Sequence, residues 1–301
     1  NKMQNILFRA DSSSAIGLGH IMRDLVLASQ FKDSNIFFAT QDLQGNINHR
    51  ILENNYKLEI LKSNSKKELV KLIKKLNINL LVIDHYGIDY KIEKYIKEKT
   101  GVKILAFDDT YEKHFCDTLL NHNLGADSSR YKNLVPKNCE LRCGSRYTLL
   151  RDEFHKQKHK IQKSKKTKTK TIFVAIGGTD HTNINRKILK VLSKIQNIKV
   201  ALITSSSNKN LKKLKIYIKD KEWIKLHIDS SKIAKLMGKS DFAIITPSVI
   251  ANETYFMELP SITIKTTSNQ KNIYEYLKKN GYATLKKFNK QRLKKEIGKF
   301  L

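Results

Sequence analysis

Hydrophobic and polar positions alternate along this chain in two patterns. Short apolar runs rich in β-branched residues predict buried strands, and the segments between them repeat apolar residues at the spacing of an amphipathic helix. In the first half, strands are predicted at residues 6–9, 36–39, 80–84, 103–107 and 118–120, and helices at 20–31, 68–76 and 90–99. Strands that alternate with helices are typical of a parallel sheet with helical crossovers, so this half is predicted to be doubly wound.

A basic segment then interrupts the pattern. Residues 155–171 read HKQKHKIQKSKKTKTKT, and because this segment holds one aliphatic and no aromatic side chain, it cannot bury a face and is predicted to be a linker or hinge. Beyond it the alternation restarts, with strands predicted at 171–176, 199–204, 224–228, 242–246 and 261–264 and helices at 184–195, 231–239, 249–257 and 272–280.

The predicted fold class is therefore α/β, with two doubly wound Rossmann-like domains, over residues 1–154 and 172–301, that face a cleft. Ligands of open α/β sheets bind beyond the carboxyl ends of the strands, so the loops at those ends are the candidate sites. Apolar residues at helical spacing over 288–301 predict a tail helix that packs back on a neighbouring domain.

Length and composition exclude several classes of protein. The 301 residues, 40% of them hydrophobic, suffice for two domains with buried cores, which argues against a disordered chain. The three cysteines, Cys116, Cys139 and Cys143, are too sparse for a disulfide framework. No apolar run approaches the roughly 18 residues of a membrane span, and no signal-peptide core is present, so we predict a cytoplasmic protein without a membrane partner.

The charge is strongly positive, with 58 Lys and Arg against 28 Asp and Glu and a formal net charge of +30. Only nine of the basic residues are Arg, whereas proteins that read nucleic acids favour Arg for its planar, bidentate geometry. The lysines recur on the polar faces of amphipathic segments, which favours solvated helix faces over a nucleic-acid surface. A nucleic-acid-binding protein that uses the lysine run of residues 163–170 remains an alternative function. We expect any such binding to be weak and nonspecific.

The first candidate site follows the first predicted strand, in the segment RADSSSAIGLGH that ends at His20. Ser13 supplies a hydroxyl, and Gly17 and Gly19 allow close approach of the backbone, so the loop could hold a phosphate or sugar or be a structural turn. A histidine at a helix start feels the positive end of the helix dipole, which favours the neutral form of a general base. A capping or core histidine is the alternative for His20.

The second candidate site is LVIDHYG, where an apolar strand ends in polar groups. Tyr86 could reach a ligand with its hydroxyl, whereas a structural role is favoured for Asp84, and His85 could simply lie on the surface. The pair Asp108 and Asp109 ends another predicted strand, where loop formation is favoured over catalysis.

The second half contributes a third set of candidates. Gly178 belongs to a glycine pair after a strand, Ser205 ends the next strand, and Asn269 follows the last one. Backbone amides near Ser248 and Val249, at a predicted helix start, could hold a diphosphate, with the alternative that Ser248 forms a capping box. On the same helix lie Asn252 and Glu253, and the Glu253 carboxylate could accept ribose hydroxyls.

No metal site is predicted. His155 and His159 have the spacing of ligands on one helix face, but they lie in the lysine-rich segment with no carboxylate or cysteine partner nearby. Nothing in the sequence calls for a cofactor either.

At these residues the chain resembles a family, the UDP-2,4-diacetamido-2,4,6-trideoxy-β-L-altropyranose hydrolases of bacterial pseudaminic acid biosynthesis, called PseG. The resemblance covers residues 6–283 through the ordered segments LFRADSSSAIGLGHIMRDLVLA, LLVIDHYGI, GVKILAFDD, ELRCGSRYTLLRDEF, IGGTD, TSSSNKNLKKL and IAKLM. It implies a glycosyltransferase B-like architecture in which the second domain holds UDP and the sugar faces the first. Pro247 and Val249 depart from the small or hydroxyl residues that are usual in the family.

The resemblance also implies a reaction, in which water attacks the anomeric carbon of the UDP-sugar without a metal. The catalytic residues that it implies are His20 as the base, Tyr86 and Asn269. Together the residues and the resemblance predict a substrate-binding set of Ser13, Gly17, Gly19, Arg151, Gly178, Ser205, Ser248, Val249, Asn252 and Glu253.

UDP is a good leaving group, and no covalent carboxylate intermediate is required, so we expect a single displacement with inversion. An inverting glycosyltransferase that uses the same UDP-sugar is the nearest alternative. The oligomeric state is not determined by the sequence, although a monomer is favoured.

Overall fold

A computed structural model of the protein describes residues 3–160, 168–177, 180 and 182–301. The chain divides into two compact units, residues 1–149 and residues 150–301. Among the residues that the structure describes, no helix has the length and apolar character needed to cross a membrane.

The first unit is an α/β layer structure around one parallel sheet. Its strands are β1 Gln4–Ala10, β2 Ser34–Gln41, β3 Lys57–Leu61, β4 Leu80–Asp84, β5 Lys103–Phe107, β6 Thr118–Asn121 and β7 Glu140–Cys143. Its helices are α1 Gly19–Gln30, α2 Asn48–Glu53, α3 Lys66–Lys75 and α4 Tyr90–Thr100. The strand order is β3-β2-β1-β4-β5-β6-β7, which places β1 in the interior of the sheet with β2 and β4 as its parallel neighbours.

The core of this unit explains why β1 is apolar on both faces. Ile6 and Phe8 pack in one hydrophobic cluster and Leu7 in another, and all three are fully buried. Side chains alternate between the two faces of a strand, so a strand covered by helices on both sides reads as a continuous apolar run.

The second unit repeats this architecture. It begins with helix α5 Asp152–Lys158 and contains strands β8 Lys170–Ala175, β9 Ile198–Thr204, β10 Ile224–Ile228, β11 Phe242–Ile245, β12 Ser261–Ile264 and β13 Ala283–Leu285. Between and after them lie α6 Ile184–Leu192, α7 Leu211–Ile218, α8 Ile233–Gly238, α9 Val249–Phe256, α10 Lys271–Lys279 and α11 Lys290–Gly298. The sheet is again parallel, in the order β10-β9-β8-β11-β12-β13, so the predicted class of two parallel α/β domains is confirmed.

The predicted linker differs from the structure at its start, because residues 155–158 lie in α5. Phe154, the residue before the basic segment, is fully buried and anchors this helix. The His155 ring packs edge-on against Phe256 with centroids 5.2 Å apart, so a helix forms although the segment has hardly any aliphatic residues. Residues 161–167 of the predicted linker lie outside the described residues.

The tail helix forms as predicted, but its predicted packing on a neighbouring domain is wrong. Leu293 and Ile297 of α11 are fully buried in the core of the second unit itself. The strand β13 brings the chain back to the edge of that sheet, and α11 then contacts both β13 and α6.

Candidate active site

The loop after β1 is held by its own backbone and hydroxyl groups. Ser13 and Gly17 pair across it, with N to O distances of 3.2 and 2.8 Å, and Ser13 Oγ accepts the backbone N–H of Ile16 at 2.8 Å. Gly17 has a φ of +89°, a left-handed conformation that would strain any residue with a side chain. Ser13 and Gly17 therefore shape the loop, and α1 begins just beyond it at Gly19.

A buried charge network lies behind this loop. Asp11 is paired with the buried Arg9 at 2.9 Å and accepts the backbone N–H of Gln41 at 2.7 Å. His85, for which a surface position was one option, places Nε2 2.8 Å from Asp11 Oδ2. Burial alone would raise the pKa of Asp11, but its hydrogen bonds with His85 and Arg9 hold that pKa well below the usual range.

The sheet brings His20 and Asp84 together. His20 is the second residue of α1, which follows β1, and Asp84 is the last residue of β4, the neighbour of β1. The His20 Nδ1 atom lies 2.7 Å from Asp84 Oδ1. Asp84 thus contacts the predicted base directly, rather than only bracing a loop.

Arg23, one turn further along α1, keeps Asp84 ionised. Its Nε donates to Asp84 Oδ2 at 2.7 Å, and its Nη2 donates to Oδ1. Burial alone would raise the pKa of Asp84, but the Arg23 guanidinium and His20 hold it well below the usual range. Asp84 is therefore a carboxylate that can only accept hydrogen bonds.

This charge state determines the tautomer of neutral His20. Nδ1 must carry the hydrogen that is donated to the Asp84 carboxylate, which leaves the lone pair on Nε2. No described residue bonds His20 Nε2, so this atom can accept a proton from a ligand or from water. A carboxylate that orients a histidine base in this way is a known catalytic arrangement.

Tyr86 lies beside the His20 ring. The two rings meet edge to face with centroids 5.1 Å apart, and the Tyr86 hydroxyl donates to Asp109, at 2.9 Å from each carboxylate oxygen. Partial burial and the Asp109 charge raise the pKa of the Tyr86 phenol above its ordinary value. Tyr86 therefore stays protonated and acts as a hydrogen-bond donor, while its ring is largely exposed.

A cavity of about 670 Å³ opens beside Asp84 and Tyr86 in the first unit, and His20 is not among its lining residues. Its lining includes Arg23, Asp84, Tyr86, Phe107 and Asp109. The Arg23 guanidinium stacks over the Phe107 ring at 4.5 Å, so the wall combines charge with an aromatic surface. This volume lies within the range of about 300 to 1,000 Å³ that is typical of small-molecule pockets.

Neither Arg23 nor His122 was predicted from the sequence, where structural roles were favoured for Asp84 and Asp109. Arg23 is three residues after His20, a spacing that places both on one helix face, and this signal could have found it. His122 Nε2 lies 3.3 Å from Arg23. Burial and the Arg23 charge lower the pKa of His122 to about 3, so His122 is neutral and has no role as a proton acceptor at neutral pH.

In the second unit, the start of α9 carries several predicted binding residues. The Ser248 side chain makes no cap to the helix and instead bonds Thr246, with the two hydroxyl oxygens 2.9 Å apart, so the alternative of a capping box is wrong. Val249, the first residue of α9, is exposed and Asn252 is buried. In the first turn, the Ala251 backbone N–H donates to Ser248 O at 2.9 Å.

Glu253 of α9 is held by an arginine. Arg151 Nη2 lies 3.3 Å from Glu253 Oε2 and 3.1 Å from Glu153. Burial raises the pKa of Glu253 to about 7, although the charge of Arg151 lowers it. Small changes in the surroundings of Glu253 can therefore change its charge near neutral pH.

The other predicted residues of this unit follow the carboxyl ends of its strands. Ser205, after β9, bonds the Ser207 hydroxyl at 2.6 Å. Asn269 is exposed in a 3-10 turn, Ser268–Gln270, after β12, where its Oδ1 accepts the Thr267 hydroxyl. Gly178 lies outside the described residues. Within the described part of the chain, no group of three or more His, Cys, Asp or Glu side chains could hold a metal ion.

Comparison with known proteins adds a close relative and two structural neighbours. The chain is 44% identical over 283 residues to a UDP-2,4-diacetamido-2,4,6-trideoxy-β-L-altropyranose hydrolase of Campylobacter jejuni, and the match covers 94% of this chain and 99% of the relative. No family model matches the chain.

Among solved structures, the fold is similar to that of MurG from Acinetobacter baumannii, with a TM-score of 0.65, 10% identity and coverage of 99% of this chain and 90% of the other. It is also similar to the glycotransferase of kitacinnamycin, with a TM-score of 0.66, 10% identity and coverage of 100% and 91%. These neighbours confirm the predicted glycosyltransferase B-like fold class, and at such low identity they bear on the fold alone.

Proposed function

The chain belongs to the family of UDP-2,4-diacetamido-2,4,6-trideoxy-β-L-altropyranose hydrolases, and on that premise we propose that it cleaves this UDP-sugar into UDP and the free sugar. The observation that carries the proposal is the His20–Asp84 pair, whose 2.7 Å contact leaves Nε2 of neutral His20 as a proton acceptor. The reaction is a hydrolysis, and the resemblance implies that it is a step of pseudaminic acid biosynthesis.

In the proposed step, His20 Nε2 takes a proton from water while the water oxygen attacks the anomeric carbon. The bond between that carbon and the diphosphate oxygen breaks, and UDP leaves with the bonding electrons. Asp84 stabilises the imidazolium that forms, and general-base catalysis of this kind contributes roughly 10² to 10⁴ in rate. Both Asp84 oxygens are bonded by Arg23 or His20, so Asp84 is not placed to attack the sugar itself. A single displacement inverts the anomeric carbon.

Tyr86 has an orienting role in this proposal. Its one hydroxyl hydrogen is donated to Asp109, so the oxygen would accept a hydrogen bond from a sugar hydroxyl or from the attacking water. Because its pKa is raised, the phenol stays protonated and does not remove a proton. The cavity beside it, with Arg23 and Phe107 in its wall, is the proposed position of the sugar ring.

The second unit is proposed to bind UDP. Amides at the start of α9, near Ser248 and Val249, would hold the diphosphate and stabilise the charge that grows as it leaves. Glu253 would accept the ribose hydroxyls, and Asn269 would contribute its amide to the reacting end of the substrate. Further proposed contacts of the UDP-sugar are Gly19, Arg151, Gly178, Ser205 and Asn252.

The decisive experiment replaces the base. His20→Asn should abolish release of UDP from the UDP-sugar, measured by chromatography, while UDP affinity measured by calorimetry stays close to wild type. His49→Asn, which changes an exposed histidine of α2, is the matched control and should retain full turnover. Near-normal turnover of His20→Asn would contradict the assignment.

A glycosyltransferase that uses the same UDP-sugar is the second candidate, because the glycosyltransferase B-like fold does not by itself separate the two reactions. Product analysis in buffer alone and with added sugar or alcohol acceptors separates the two. Free sugar and UDP in buffer alone support the hydrolase, whereas turnover that requires an acceptor supports the transferase.

We also propose a cytoplasmic, monomeric enzyme that needs neither a metal nor a cofactor and binds no nucleic acid specifically. Full activity after treatment with EDTA, and a monomer mass in light scattering, are the expected results.

A further inference from the structure

Two cysteines with no part in the proposed reaction meet at the edge of the first sheet. Cys116 precedes β6 by two residues and Cys139 directly precedes β7, and these strands pair in parallel with Thr118 opposite Glu140. A backbone hydrogen bond from Glu140 N to Asp117 O, at 2.9 Å, holds the segments that lead into β6 and β7 side by side. As a result, the two Sγ atoms lie 3.7 Å apart.

The two thiols differ in exposure and in acidity. Cys116 is 5% exposed, whereas Cys139 is partly exposed. The hydrogen bond between the two sulfurs lowers the pKa of Cys139 and raises that of Cys116. Since the thiolate is the nucleophile in thiol chemistry, Cys139 is the thiol that reacts first and Cys116 the one that follows.

A small cavity gives access to the pair. It has a volume of about 200 Å³, and its lining includes both cysteines together with Lys97, Phe115 and Pro136. A small disulfide can bring one of its sulfur atoms into such a space.

We propose that Cys116 and Cys139 form an oxidative modification site, which a small disulfide such as oxidised glutathione converts into an intramolecular disulfide bond. The Cys139 thiolate attacks one sulfur of oxidised glutathione, the S–S bond of the reagent breaks, and one glutathione leaves as a thiolate. The Cys116 thiol then loses its proton, and its sulfur attacks Cys139 Sγ and displaces the second glutathione. Two protein thiols are oxidised, and one oxidised glutathione is reduced to two thiols.

The geometry favours this pair over the third cysteine. The sulfurs must approach from 3.7 Å to the roughly 2.05 Å of a disulfide bond, a distance within reach of a side-chain rotation. Cys143 lies four residues beyond Cys139 along the extended chain of β7, a separation of about 13 Å at the usual rise of a strand. The cross-link therefore joins the entrances of two neighbouring strands and closes the chain between them into a loop.

The test uses the full chain incubated with oxidised or reduced glutathione. We expect the thiols that react with Ellman's reagent in denaturant to fall from three to one, and a peptide map to show Cys116 joined to Cys139. The oxidised protein should have a higher Tm, because the cross-link restricts the unfolded chain.

Three serine variants give each step its own result. Cys143→Ser should still form the disulfide, Cys116→Ser should stop as a mixed disulfide of glutathione on Cys139, and Cys139→Ser should leave buried Cys116 unmodified. Three free thiols after oxidation of the wild-type protein, or a peptide map that joins Cys143 to either partner, would overturn the proposal.

Discussion

At the scale of single residues, the candidate active site depends on how neighbouring carboxyl groups differ in charge. Asp84 is ionised because Arg23 and His20 offset its burial. Asp24, one turn beyond His20 on α1, is also fully buried, but burial and the Asp84 charge raise its pKa well above the ordinary value, which favours its protonated form. The carboxylate that contacts His20 is Asp84, and Arg23 sets its position.

Replacing Asp84 tests this arrangement. Asp84→Asn keeps the size of the side chain but removes the charge, and its amide can donate to Nδ1, which favours the tautomer with the hydrogen on Nε2. We expect kcat to fall by roughly 10² to 10⁴, because a histidine in the wrong tautomer cannot accept the proton of water.

Steady-state kinetics of UDP release measure this effect, with Glu140→Gln, which alters an exposed carboxylate of β7, as the control. A kcat within twofold of wild type in Asp84→Asn would show that His20 does not depend on this carboxylate.

Glu253 leads to a pH prediction. Its pKa is raised to about 7 in the protein without ligand, so the carboxylate form increases as the pH rises through 7. Ribose hydroxyls donate to a carboxylate better than to a carboxylic acid, and UDP should therefore bind more tightly at pH 8 than at pH 6.

Calorimetric titration with UDP at both pH values provides the measurement. Glu253→Gln should bind UDP more weakly and lose most of the pH dependence of the affinity. The pH dependence that remains in the variant comes from the ionisation of UDP itself. An equal pH dependence in both proteins would rule out Glu253 as the titrating group.

At the scale of elements, the tail helix is a part of the second core. Leu293→Ala in α11 should lower the free energy of unfolding of this unit by about 2 to 5 kcal/mol, because it leaves a cavity at a fully buried position. Thermal or urea denaturation measures the loss. Lys294→Ala, on the exposed side of the same helix, should change stability little, and equal effects of the two substitutions would contradict the packing of α11.

The elements also show which parts of the fold a sequence can predict. The interior strands β1, β4, β8 and β11 were found because burial on both faces demands continuous apolar runs. Of the four edge strands, β10 was found, whereas β3, β7 and β13 were missed. The segments of the three missed strands, KLEIL, ELRC and ATL, are short and partly exposed, and one side of each strand has no neighbour.

The same limit applies to the candidate site. His20 and Tyr86 could be singled out because each stands next to a recognisable strand end or helix start. The contact of Asp84 with Arg23 and His20 depends on the pairing of β1 with β4, which are separated by a long stretch of sequence. Local patterns carry no information about that pairing, so a structural role was favoured for Asp84.

At the scale of the whole molecule, the charge of +30 is spread mainly over lysine side chains, and the candidate site uses few of them. A field of this sign attracts an anionic UDP-sugar over long distances, and salt screens it. We therefore expect kcat/KM to fall as the salt concentration rises, while kcat at saturating substrate changes little. Kinetics in a series of KCl concentrations measure both, and a kcat/KM that is independent of salt would show that steering is negligible.

In each sheet, the strand that comes first along the chain, β1 or β8, lies in the interior of the sheet. During synthesis, such a strand is made before the neighbours that will cover it. The strand β1 leaves the ribosome before the other strands of its sheet, but β4, which covers one of its edges, begins only at Leu80. Until then the growing chain presents a strand with apolar side chains on both faces and an unpaired edge, the kind of surface that promotes aggregation and binds chaperones. The strand that leads into the candidate catalytic loop is thus also a segment of the first unit whose protection by its own chain comes late.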